Sequence, residues 1–183
     1  MKNTFAEYKS FFLFLGKFLL FYIVFAGLYQ LFLKLNITLE KPVDDITVLV
    51  SQQVDLLLQW LGDGYSINRV NFEPHVRLSH LDDYLFRVVE GCNAVSIMIM
   101  FAAFVFAFST TLKKTISFIA LGILAIHFFN VLRIALLTFA KVNYPRYDEI
   151  LHDLVFPLII YGFVVLLWLV WMNKFTKYVA KKK

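Results

Sequence analysis

The chain carries one cysteine, Cys92, so no disulfide within it can hold the fold together. It has no glycine-rich phosphate loop, no Cys/His cluster at metal-ligand spacing and no G-x-S-x-G elbow. No internal repeat or low-complexity tract appears. Charge is scarce as well: 17% of the 183 residues are charged, whereas 60% are hydrophobic and 18% aromatic. That balance lies outside what a soluble domain carries. The first apolar run is longer than a signal-peptide core and lacks a small-x-small cleavage site, so it reads as an uncleaved anchor.

What is present is a set of long apolar runs. A membrane helix needs ~20 mostly apolar residues, and Phe11–Leu33, Asn93–Phe108, Thr115–Ala140 and Ile150–Trp171 meet or approach that. The expected fold is an all-α integral membrane protein, a single membrane domain over residues 1–183 with four transmembrane helices. An amphipathic interfacial helix and a small extracytoplasmic β-like segment complete it.

The net charge of +5 could suggest nucleic acid, but the lysines flank the apolar runs. Lys2, Lys9 and Lys17 surround the start of the first, Lys113 and Lys114 follow the second, and Lys174, Lys177 and Lys181–Lys183 follow the last. Basic residues at span ends set orientation, and four crossings put every such cluster on the cytoplasmic side. A fifth would place at least one outside.

Residues 34–91 form the largest polar segment. In Ile46–Leu61, Val50, Val54, Leu57, Leu58 and Leu61 share one helical face, and Gln52, Asp55 and Gln59 the other. This pattern fits a helix lying in the interface, ended by Gly62-Asp-Gly64. From Tyr65 to Val89 partial alternation (Val70 and Phe72, Val76 and Leu78, Leu85 to Val89) reads as a β element broken at Pro74.

The chemistry-bearing residues lie at span ends. Cys92 opens a descending helix, and His152 sits in the first turn of another. Arg133 is about seven residues below the top of the ascending one, roughly 10 Å at 1.5 Å per residue, a gap its long side chain covers in large part. Arginine in a spanning helix costs ~2.5–3.5 kcal/mol on insertion scales, so it marks either function or an ion pair, with Asp153 or Glu90 as the available partner. His127, deeper in the same helix, is a candidate for bonding a neighbouring helix or lining the site. A thiol, a fixed cation and an imidazole at one depth suit acyl transfer. The thiolate is the nucleophile, a guanidinium stabilises an oxyanion, and an imidazole moves the proton from thiol to leaving amine. No metal or organic cofactor is needed.

Glu90-Gly-Cys92-Asn-Ala94, Asn130-Val-Leu-Arg133-Ile134 and His152-Asp153 resemble, in that order, the exosortase/archaeosortase family, and most of all the exosortase F type of Bacteroidetes. The resemblance covers roughly Phe72 to Phe156. It implies catalytic Cys92, Arg133 and His152, with Glu90, Asn93, Asn130 and Asp153 in support. It further implies an enzyme of the bacterial inner membrane with cytoplasmic termini and a periplasm-facing site. Its substrates would be membrane-anchored proteins bearing a C-terminal sorting signal, cleaved and then hydrolysed or transferred to a surface glycan or lipid acceptor. One departure stands out: the commoner family pattern reads Cys-Ser-Gly, whereas Asn93 and Ala94 follow the cysteine here. The lost glycine removes backbone freedom, and Asn93 is expected to supply a polar donor.

A reading from another class is a non-catalytic membrane assembly factor that binds partner transmembrane helices, in which Cys92 is inert packing. A weaker one is a small transporter using His127, Asn130 and Arg133 as a polar pathway, against which the small number of spans argues.

Overall fold

The computed structural model describes residues 8–62, 64–69, 73–81, 83–109 and 111–175. Val70, Phe72, Lys2 and the lysines from Lys177 onward, which entered the strand and topology readings, lie outside the described residues.

The first helix, α1 (Lys9–Asn36), is mostly apolar and buries only Leu33 against the protein. Leu20, Ile23 and Leu28 are each at least 60% exposed, an apolar surface that a hydrocarbon environment accommodates and water does not. After it, α2 (Asp45–Leu61) is capped by Asp44, whose Oδ1 accepts the backbone N–H groups of Ile46 and Thr47 at 3.0 Å. Satisfying two orphan donors in this way is worth ~1 kcal/mol. Val50, Val54 and Leu58, spaced at four, are fully buried. Leu49, Leu56 and Trp60 on the opposite side are exposed, so this helix has two apolar faces and a narrow polar strip. One apolar face packs on the protein.

Three antiparallel strands follow in the order β1-β2-β3: β1 (Tyr65–Arg69), β2 (Val76–His80) and β3 (Asp83–Val88). Pro74 precedes β2, as a residue without a backbone donor should. Val76 pairs with Val88, Arg77 with Arg87 and Leu78 with Phe86, and a bulge follows between Leu78 and Ser79.

The remaining helices are α3 (Val95–Ala107), α4 (Leu112–Asn143) and α5 (Phe156–Phe175). Three helical runs, Lys9–Asn36, Leu112–Asn143 and Pro145–Phe175, are long and apolar enough to cross a membrane. The expected second span is shorter than its apolar run, because helix begins only after Ala94 and stops at Ala107. Thirteen residues rise ~20 Å, less than the ~30 Å of a hydrocarbon core. It lies antiparallel along α1: Phe108 stacks on Phe14 at 4.2 Å between centroids, Phe106 packs tilted against Phe21 at 5.3 Å, and Asn93 meets Tyr29. An aromatic seam continues through Phe104–Trp168 (4.3 Å) and Phe118–Trp171 (4.9 Å), joining α3, α4 and α5.

The segment from Lys141 to Glu149, which its Pro145 and charges of both signs make read as a short loop along the sequence, is nearly all helical. α4 runs to Asn143, Tyr144 breaks it, and a 3-10 turn (Pro145–Tyr147) starts the next run. Lys141 ties this corner down, with Nζ 3.1 Å from Asp148 Oδ2 and 4.2 Å above the Phe86 ring. Two cores result. One joins the sheet and α2 to Val131, Ile134 and Ala135 of α4; the other fills the space between α3, α4 and α5.

Candidate active site

Cys92 ends a 3-10 turn (Glu90–Cys92) that leaves the extended Val89. The turn is closed by Cys92 N–H donating to Val89 O at 2.8 Å. From outside it is held by Asn130, fully buried on α4, whose Nδ2 donates to the Cys92 carbonyl at 2.7 Å. The thiol's backbone is thereby tied to the helix that carries Arg133, less than one turn away.

Asn93 faces elsewhere. Its Nδ2 donates to Tyr29 Oη (3.0 Å) and Thr47 Oγ1 (3.2 Å), while its Oδ1 accepts the Val95 N–H (3.0 Å). Thr47 in turn donates to Asp44 Oδ2 at 2.6 Å. The polar donor expected from Asn93 is therefore spent on joining α1, α2 and the start of α3, not offered to the thiol side. Ala94 follows in the left-handed region, at φ 61° and ψ 11°. This is the place where the commoner family pattern has glycine, and where an L side chain costs ~1–2 kcal/mol.

Cys92, Arg133 and His152 line one cavity of about 50 Å³. Phe86, Val88, Ile134 and Leu137 form its apolar walls, and Arg87 lies at its border. Cys92 is half-buried. Arg133 forms no ion pair among the described residues, and its Nε is buried without a partner. Neither acidic candidate neutralises it: Glu90 is exposed on a different hollow, beside Pro42 and Pro74, and Asp153 pairs with His152. That pair joins Nδ1 to Asp153 Oδ1 at 2.7 Å, with both side chains more than half exposed. His127 is absent from the cavity and bonds Gln53 Oε1 of α2 through Nε2 at 2.6 Å.

His152 does not sit in an ordinary first helical turn. Leu151–Val155 is a π-helical turn in which the Phe156 N–H reaches Leu151 O. Pro157, two residues past it, has no N–H for the Asp153 carbonyl and crowds it, which favours the wider turn; such turns recur at functional sites. Pro157 was a signal available in the sequence. The cavity border formed by Arg87 and the latch from Asn130 to the Cys92 carbonyl had none beyond a charged residue in the preceding strand and an amide inside an apolar helix.

Long apolar helices that hold a small, mostly apolar cavity bordered by a thiol, a guanidinium and an imidazole define a polytopic membrane protein. The model of the transmembrane exosortase family (Exosortase_EpsH) matches residues 8–172. The chain belongs to that family. No curated protein and no solved structure matched it.

Proposed function

We propose that this exosortase is a sorting cysteine peptidase or transpeptidase, of the exosortase F type. It would cross the bacterial inner membrane four times with cytoplasmic termini, the short apolar α3, packed along α1, counting as a span. The observation that carries the reading is that Cys92, Arg133 and His152, from a turn, a helix interior and a π turn, border one cavity.

The Cys92 thiolate attacks the scissile carbonyl of a membrane-anchored protein's C-terminal sorting signal. Arg133, with no competing carboxylate among the described residues, stabilises the oxyanion that forms. His152, its Nδ1 held by Asp153, takes the thiol proton and returns it to the leaving amine. The thioester is then resolved by water or by an acceptor amine or hydroxyl, on a glycan or lipid of the surface. Asn130 positions the nucleophile; Glu90 and Asn93 serve the turn's exterior.

The test follows processing of C-terminally anchored envelope proteins in cells carrying wild-type, Cys92→Ser, Arg133→Ala or His152→Ala protein at matched levels. All three variants are expected to lose processing. Normal processing by Cys92→Ser would remove the nucleophile and leave a non-catalytic assembly factor that binds partner helices.

A further inference from the structure

β3 is an edge strand: it pairs with β2 on one side, and no described strand takes the other. Successive residues of a strand point to opposite faces. Val76, Leu78 and Val88 face the core, with Phe86 packed against them, while Arg77 and Arg87, paired across the strands, point the other way. A cavity on one face of β3 meets chiefly alternate side chains. The thiol cavity touches Phe86, Arg87 and Val88 in succession, the pattern of a cavity reached from the strand's unpaired edge. Along such an edge, half of the backbone N–H and C=O groups point away from the neighbouring strand.

From this we propose that the polypeptide substrate enters as a fourth strand, its main chain pairing with the open edge of β3 at residues 86–88 and its scissile carbonyl delivered to Cys92. The inference rests on Cys92 being the nucleophile. A lipid chain cannot satisfy a row of polar backbone groups, whereas an extended peptide satisfies them in any sequence, leaving selectivity to alternate side chains. A second copy of this chain is disfavoured as occupant, because Arg87 charges the edge, a device that blunts pairing between like edges. Arg77 is neutralised by Glu73, with contacts of 2.6 and 3.2 Å, whereas Arg87 has no ion pair among the described residues. Asn130 fixes the turn between edge and thiol, so a strand registered on β3 is also registered on Cys92.

Because Cys92 is the chain's only cysteine, Cys92→Ala leaves a thiol-free background. Into it go Phe86→Cys, Arg87→Cys or Val88→Cys, one at a time. The probe is the epitope-tagged tail of a protein whose processing Cys92→Ser abolishes, carrying single cysteines through the residues before its membrane helix. Strand addition predicts disulfides of alternating parity. Phe86→Cys and Val88→Cys link to one set of tail positions, and Arg87→Cys links several-fold better to the set between them. Arg87 is exposed, so its variant tests the idea even where the buried Val88→Cys fails to fold. Equal yields at adjacent tail positions, or links only between two copies of the chain, would overturn strand addition while leaving the nucleophile intact. If no protein's processing depends on Cys92, both readings fall together.

Discussion

The hydrogen bond from Asn130 to the Cys92 carbonyl gives a way to separate positioning from stability. Asn130→Leu keeps the volume close to that of the amide and removes the donor. The half-buried carbonyl is then orphaned, at a cost of at most ~1–3 kcal/mol. The same substitution also deletes Asn130 Oδ1, a buried acceptor without a partner among the described residues, and its relief is of similar size. The two terms oppose, so unfolding in detergent should shift by no more than ~1–2 kcal/mol. The Cys92 turn, in contrast, loses its tie to α4 and keeps its own local closure and the Asn93 anchor to α1 and α2. If held geometry worth ~1.4–2.8 kcal/mol disappears, the rate falls roughly ten- to a hundredfold. The assay pairs an unfolding curve of purified protein with the processing rate of a Cys92-dependent tail, at matched expression. Asn130→Ala, which adds a small cavity, should lose somewhat more stability and a similar factor in rate. A variant that unfolds like wild type and also processes like wild type would refute the latch. So would a rate loss fully explained by loss of folded protein.

Three further perturbations follow from the packing. A Cβ at Gly122 would collide with the ring of the fully buried Phe101, so Gly122→Ala should destabilise by ~1–3 kcal/mol; combined with Phe101→Leu, the loss should fall short of the sum. At Ala94, a β-branched side chain is worse placed in the left-handed region than alanine, so Ala94→Val should cost more than ~2 kcal/mol. Ala94→Gly gains ~1–2 kcal/mol of relieved strain but gives up ~0.8 kcal/mol of methyl burial and some chain entropy, and should stay near wild type; thermal unfolding in detergent that reverses this order would refute the strain. Burial pushes the Asp55 carboxyl above its ordinary value, with Oδ1 unpartnered and Oδ2 accepting from Gln59 at 2.8 Å. The folded state therefore holds this proton more tightly than the unfolded one. The associated stability is full below the ordinary carboxylate value and is lost as pH rises through the raised one. Asp55→Asn should flatten that window and stabilise the protein above it, as read by melting temperature against pH.

Much of this architecture was readable along the chain because its causes are local. Long, mostly apolar runs mark α1, α4 and α5 whatever they pack against. A four-residue spacing of Val50, Val54 and Leu58 gives α2 its buried face, and alternation around Val76 and Leu78 gives a strand that Pro74 delays. The depths of Cys92, Arg133 and His152 follow from counting residues along helices, and the three meet at one cavity. The length of α3 was not readable, because the left-handed Ala94 delays a helix that hydropathy alone would start earlier. The corner at Tyr144 is unreadable for the opposite reason: charges and a proline suggest a loop where Lys141 and Asp148 close a compact helical turn.

The sequence by itself determined that the chain is membrane-embedded, which segments are helical, and which residue types with reactive chemistry lie near span ends. Hydropathy and periodicity act between neighbours and need no knowledge of the fold. Only the tertiary structure decided which polar groups face one another. It turned Asn93 toward Tyr29 and Thr47, set Asn130 on the Cys92 carbonyl, sent His127 to Gln53, left Arg133 without a counter-ion among the described residues, and placed residues 86–88 of β3 on the cavity that Cys92 lines. Those outcomes depend on how distant helices and strands are brought together, and a hydrogen bond that fails beyond ~3.5 Å has no signature in the spacing of residues along a chain.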